Sequence, residues 1–309
     1  MLWIFLSILV AITMSISVFI DNYVTDVCFK GRLPQAQKFF GVPAYLLTCI
    51  ITALIFPIAS VEIHNALILI AAGVLSSIGS IWYYKALTTE DSTGATIFLQ
   101  LAPVIYLVVG WTLLQQHISP LQILAFCLIL SAPLVVIFAT PKRSKKLRLR
   151  AALLIFLYLL FAVSSNLIFV GLSSDGQSGA VTHFPTAFFY VILGKFLTDL
   201  TLMIIFRSWR KRLKLAIKTS KHKLVLPMAL NEIFFIMTEI AYRLALIIAP
   251  VALVSVLTNS LQLIITFLLG IILTLIWPIF GRERLRPRII VAHSIAIILA
   301  IAGIILELL

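Results

Sequence analysis

Glu232, Glu239 and Arg243 stand at i, i+7 and i+11 in an otherwise apolar stretch, which puts them on one face of a helix. Asn231, Thr238 and Tyr242 form an adjoining stripe at the same spacing. Side chains of these types can bind a charged ligand, carry a proton or neutralise one another. An ionisable group held among apolar residues is by default a candidate for function. Glu239 and Arg243 are one turn apart, so they either pair with each other or receive the charged ends of a zwitterion. Glu232 has no partner on its own stretch. It reads as a contact for a substrate ammonium group, as a protonatable group, or as a structural hydrogen bond made elsewhere. At 1.5 Å rise per residue, Glu232 and Glu239 lie roughly 10 Å apart along the axis. Lys195 and Asp199 form a second couple one turn apart. They are either a self-paired structural couple or, facing Glu232, part of a three-charge network. Gln100, Asn166 and Asn259 are neutral; each fits a shared cavity or a plain helix–helix contact.

The elements that carry these residues must sit in lipid. The chain has 309 residues, of which 62% are hydrophobic and 11% charged. A soluble domain averages about 25% charged. The formal charge of +13 would suit nucleic acid, but 22 of the 24 Lys and Arg residues are confined to alternate connections between apolar stretches. Those connections are Lys30 to Lys38, Lys85, Lys142 to Arg150, Arg207 to Lys223 and Arg282 to Arg288. Short basic loops stay on the cytoplasmic side of a membrane. The pattern thus predicts an integral protein of the plasma (inner) membrane with an even number of spans and both termini non-cytoplasmic. The basic loops also suit anionic headgroups, and no nucleic acid is expected. Cys28, Cys49 and Cys127 show neither a CxxC motif nor metal spacing.

Ten stretches reach the length a helix needs to cross the hydrocarbon core, about 20 residues. They are 1–20, 39–60, 65–87, 93–114, 119–140, 150–172, 181–206, 224–248, 250–276 and 288–309. The first begins at Met1 without a basic leader, ends against Asp21 and reads as a retained span. The halves resemble each other. Residues 83–103 align with 242–262 at a constant offset, so Tyr83 meets Tyr242 and Gln100 meets Asn259. Residues 3–17 align with 154–168, which sets Ser15 opposite Asn166. Residues 119–134 parallel 286–301. The predicted fold is therefore an all-α polytopic membrane protein of ten transmembrane helices in a 5+5 inverted-topology repeat. Residues 1–140 and 150–309 form the repeats, joined by a basic cytoplasmic linker over 141–149.

The run YYKAL from Tyr83, a short polar turn, Leu101-Ala102-Pro103, Gly110 and SPLQILAFCLILSAPL from Ser119 resemble an EamA domain, the repeat unit of the drug/metabolite transporter superfamily. The second half, from AYRLAL at 241–246 onward, is similar to a divergent second copy. Two features differ from the family. The loop QQHIS at 115–119 lacks the usual Gly-Glu pair, which the second copy keeps out of register as Gly281 and Glu283. The family's termini usually face the cytoplasm, the reverse of the charge reading.

The resemblance implies a secondary transporter of a small polar metabolite, an amino acid, nucleoside or related compound, working by alternating access. Spans one, three, four, six, eight and nine are expected to line its site. Glu232, Glu239, Arg243, Gln100, Asn259, Asn166, Tyr242, Lys195 and Asp199 are the candidate residues for substrate binding or proton coupling. A flippase for a lipid-linked substrate, or a membrane scaffold, is the alternative. An intramembrane enzyme is the less favoured alternative and is not expected, since HExxH, GxSxG and phosphate-binding loops are missing from the sequence. Nothing implies a metal or an organic cofactor, and a homodimer is left open.

Overall fold

Long runs of Leu, Ile, Val and Ala bonded only within themselves have one stable form in lipid, the helix. The computed structural model follows this rule. It describes residues 1–58, 61–88, 92–112, 120–139, 142–173, 182–277 and 287–308, and among these no strand occurs. The helices are α1 (Leu2–Tyr23), α2 (Gly41–Ile55), α3 (Ile63–Ala86), α4 (Ser92–Leu99), α5 (Leu101–Thr112), α6 (Pro120–Ala139), α7 (Lys142–Leu172), α8 (Phe184–Ile205), α9 (Arg207–Ile248), α10 (Val251–Ile276) and α11 (Pro287–Leu308). A π-helical turn, Val24–Cys28, and a 3₁₀ segment, Pro34–Phe40, join α1 to α2. Among the described residues, seven helices are long and apolar enough to cross a membrane. Large apolar side chains face outward, with Leu54 80% and Leu275 71% exposed, while Arg243 is 1% exposed. Charges inside and leucines outside invert the order of a soluble protein. The chain is an all-α, membrane-embedded protein.

Several boundaries differ from the sequence reading. The stretch 93–114 is two helices, because Pro103 would strike the carbonyl of Leu99 in a continuous helix. The chain breaks there, with the Gln100 amide bonded back to the Ile97 carbonyl at 3.2 Å. The basic linker is helical from Lys142 and runs unbroken into α7. Its Lys, Arg and Leu residues are good helix formers, and no Gly or Pro interrupts them. The basic segment 207–223 is likewise helical, and α9 bends at Ser220, where φ is −142° and ψ is 34°. The connection Gln115–Ser119 and the residues Gly281 and Glu283 lie outside the described residues.

Packing brings distant parts of the chain together. α1 lies along α9, and α7 along α3. α2 packs on α8, α6 on α11, and both α4 and α5 on α10. α3 and α8 meet backbone to backbone: a Cβ at Gly194 would strike the Ile70 carbonyl, and one at Gly73 would come within 2.9 Å of the Gly194 Cα. Pro227 lies inside α9 and frees the carbonyl four residues earlier. The Cys28 thiol donates to that Lys223 carbonyl at 3.5 Å. The turn after α1 holds Lys30 and Leu33 at positive φ. Arg212 spans it, donating to the carbonyls of Phe29 and Arg32.

Candidate functional site

The helices enclose a cavity of about 140 Å³. On the order of ten water-sized spheres fill such a space. Of the residues singled out in the sequence, Glu232, Glu239, Tyr242, Asn259, Asn166, Lys195 and Asp199 line it. Gln100 and Arg243 stand one bond behind the wall. Every span expected to line the site contributes. The second and seventh stretches add Tyr45, Lys195 and Asp199, and the connection before the second adds Lys38.

Glu239 is the hub of the charged wall. Its Oε1 lies 2.8 Å from Lys195 Nζ, and its Oε2 accepts from Arg243 Nε at 3.0 Å. The pairing of Glu239 with Arg243 is one of the two readings of their spacing; the bond to Lys195 adds a third member. Arg243 also donates to Ser165 Oγ at 3.3 Å and covers the Phe169 ring at 4.7 Å. Lys195 sits 4.8 Å from the centre of the Phe235 ring. Both cations are buried, and their shared carboxylate is what makes that burial tolerable.

Lys195 and Asp199 do not pair with each other. A cation one turn before an acid is the poorer order along a helix, and each finds a better partner off its helix. Asp199 Oδ1 meets Lys38 Nζ at 3.1 Å and accepts from the Ser77 hydroxyl. Lys38 corrects the loop assignment: it is 5% exposed and points inward from the 3₁₀ segment. It donates to the Ser77 carbonyl at 2.9 Å and to the Ser80 hydroxyl. Glu232 belongs to no ion pair or hydrogen bond among the described residues, although it is only 8% exposed.

Neutral hydrogen-bonding side chains adjoin this charged group. Asn166 donates to the Tyr106 hydroxyl at 2.8 Å, and Tyr106 and Tyr242 both line the cavity. Asn259 donates to the Ser255 carbonyl at 2.7 Å. Gln100 donates to the Asn259 carbonyl at 2.6 Å. Side chains of this kind can orient a polar molecule through hydrogen bonds, while the charged wall can meet both signs of charge.

No model of a known family matches the chain, and no curated protein does. Solved structures do match, 27 chains in number. One of them, described only as "Crystal structure of protein", is similar over 98% of this chain and 98% of its own, with a TM-score of 0.54 and 13% sequence identity. At that identity the likeness extends to the fold alone.

Sequence reasoning missed Asp21, Lys38 and most of the tyrosines. Asp21 was read as the end of the first span, yet it is buried and accepts from Asn231 at 2.9 Å. The signal was available: Met14, Ser17, Val18 and Asp21 fall at i, i+3, i+4 and i+7, one face of α1. Lys38 carried no such signal, because a lysine among loop cations looks like any other. Tyr45, Tyr83, Tyr84, Tyr106 and Tyr158 line the cavity, but an aromatic residue in an apolar span has no mark that separates lining from packing.

Proposed function

We propose that the chain is a secondary transporter of a small polar metabolite, an amino acid or related zwitterion, that works by alternating access. The observation that carries this reading is the cavity. It gathers acids and cations in one buried space between helices from both halves of an apolar chain. Asn166, Tyr242 and Asn259 line the same space. A zwitterion would set its carboxylate toward Lys195 and its ammonium group toward Glu232.

The packing supports an inverted repeat. Exchange of the halves maps α1 to α7, α2 to α8, α3 to α9, α4 with α5 to α10, and α6 to α11. The contact of α1 with α9 then maps onto that of α7 with α3. The contacts α2–α8, α6–α11 and α4/α5–α10 map onto themselves, as contacts on a two-fold axis would. Gln100 and Asn259, equivalent in the two halves, touch each other. Ten spans, membership of the drug/metabolite transporter superfamily and a rocking motion of one bundle against the other belong to this proposal.

The test is uptake into proteoliposomes. Glu232→Gln is expected to reduce uptake of a zwitterionic substrate at least about tenfold, since it removes a charge-assisted contact worth about 1.5–3 kcal/mol. Its melting profile should match the parent's, as no partner is left unpaired. Parental uptake across a library of amino acids and related compounds would remove Glu232 from the site. Orientation is checked separately. Loop cations other than Lys38 still fall in alternate connections, so a periplasmic reporter fused after Leu309 should be active and a cytoplasmic one silent. The opposite pattern would overturn the proposed placement of the termini.

A further inference from the structure

The charges around the cavity do not balance. Asp21, Asp199, Glu232 and Glu239 face Lys38 and Lys195, with Arg243 bonded behind. Fully ionised, this set has one negative charge in excess. The surplus is local. Asp199 is paired with Lys38, and Glu239 with Lys195 and Arg243. Asp21 and Glu232 have no ion pair among the described residues.

Two neutral oxygens stand beside these acids. Ser17 precedes Asp21 by one turn on α1, which sets their Cβ atoms about 5–6 Å apart. Asn231 precedes Glu232 on α9, and its Nδ2 donates to Asp21 Oδ1 at 2.9 Å. That bond leaves Asn231 Oδ1 free, and neither it nor Ser17 Oγ has a hydrogen-bond partner among the described residues. Ser17 is 8% and Asn231 3% exposed, and both line the cavity. A buried oxygen without a donor is unfavourable by about 1–3 kcal/mol, and here two are set next to two uncompensated carboxylates.

We propose that in the substrate-free protein Asp21, Glu232, Ser17 and Asn231 form a binding site for one alkali cation, distinct from the Lys195–Glu239–Arg243 wall. Hard cations take oxygen ligands, carboxylate and neutral alike. A single positive charge brings the cavity to neutrality, whereas a divalent ion would overshoot. A bound proton would also cancel the charge, but a single carboxyl O–H can donate to only one of the two free oxygens, whereas a cation coordinates both. Coupling of this cation to transport rests on the transporter reading; its binding does not.

Melting of the purified full-length protein in detergent tests the site, with NaCl or KCl exchanged against choline chloride at constant ionic strength and without substrate. A saturable rise in Tm with either alkali ion, absent with choline, is expected, because a ligand held only by the folded state stabilises it. Ser17→Ala removes one hydroxyl and should fold normally. It is expected to raise the half-saturating concentration at least about tenfold, and Asp21→Asn should abolish the effect. Equal melting in all three salts overturns the site, as does a Ser17→Ala variant that titrates like the parent. Melting that follows pH but not alkali concentration overturns it in favour of a proton. Alkali-dependent melting without uptake of any zwitterion would leave the cation site standing and remove the transport reading instead.

Discussion

Glu239→Gln is expected to lower the stability of the folded protein by about 3–5 kcal/mol, the usual consequence of removing one member of a buried ionic group. The reason is geometric. Both carboxylate oxygens are in use, one on Lys195 at 2.8 Å and one on Arg243 at 3.0 Å. A glutamine keeps the shape but presents only one acceptor and no charge. Two cations, 2% and 1% exposed, would then share a low-dielectric space with nothing opposite them. The change should appear as a Tm lower by on the order of 10 °C in detergent. The triple variant Lys195→Met/Glu239→Gln/Arg243→Met tests the cause. It removes the whole group, and complete removal of a buried ionic set is often close to neutral. Recovery of Tm in the triple variant with loss of uptake is the expected pair of results. A Glu239→Gln protein that melts with the parent would show that Glu239 does not hold these cations.

Lys38→Met is expected to have an effect of similar size. Lys38 reaches from the 3₁₀ segment to α3 and α8 at once, through Ser77, Ser80 and Asp199. Without it, Asp199 keeps only the Ser77 hydroxyl on one oxygen, while its other oxygen already lacks a hydrogen bond. A buried, unpaired carboxylate should destabilise by about 3–5 kcal/mol. Lys38→Met/Asp199→Asn should recover most of the loss, because the neutral amide can still accept from Ser77. A double-mutant cycle by chemical denaturation measures the coupling directly. A coupling energy near zero would mean that Lys38 and Asp199 are held in place independently. The pair also bears on topology, since it moves one basic residue from the loop tally to the interior without disturbing the alternation of the others.

How far the sequence could go depended on the kind of interaction. Interactions along one helix follow a fixed period, so the face bearing Glu232, Glu239 and Arg243 was legible, and the Glu239–Arg243 bond is one the spacing allowed. The contact of Gln100 with Asn259 was half legible: the repeat paired them by position, and folding brought them together. Asp21 could have been read from the spacing of its helix face but was taken as a boundary. The break at Gln100 was foreshadowed by Pro103, a local steric rule that the length of the apolar stretch concealed.

The sequence by itself determined the membrane setting, the helical class and the helix face that carries the charges of α9. Each follows from composition or period, and lipid leaves the backbone no alternative to bonding within its own segment. Only the tertiary structure decided the partners. It gave Lys195 to Glu239, Asp199 to Lys38 and Asp21 to Asn231, and it left Glu232 facing the cavity without a partner among the described residues. The reason is that a charge in a low-dielectric interior is governed by distance to the nearest opposite charge or donor. Which group is nearest depends on how helices far apart in the chain are packed, and no spacing along a single helix contains that information.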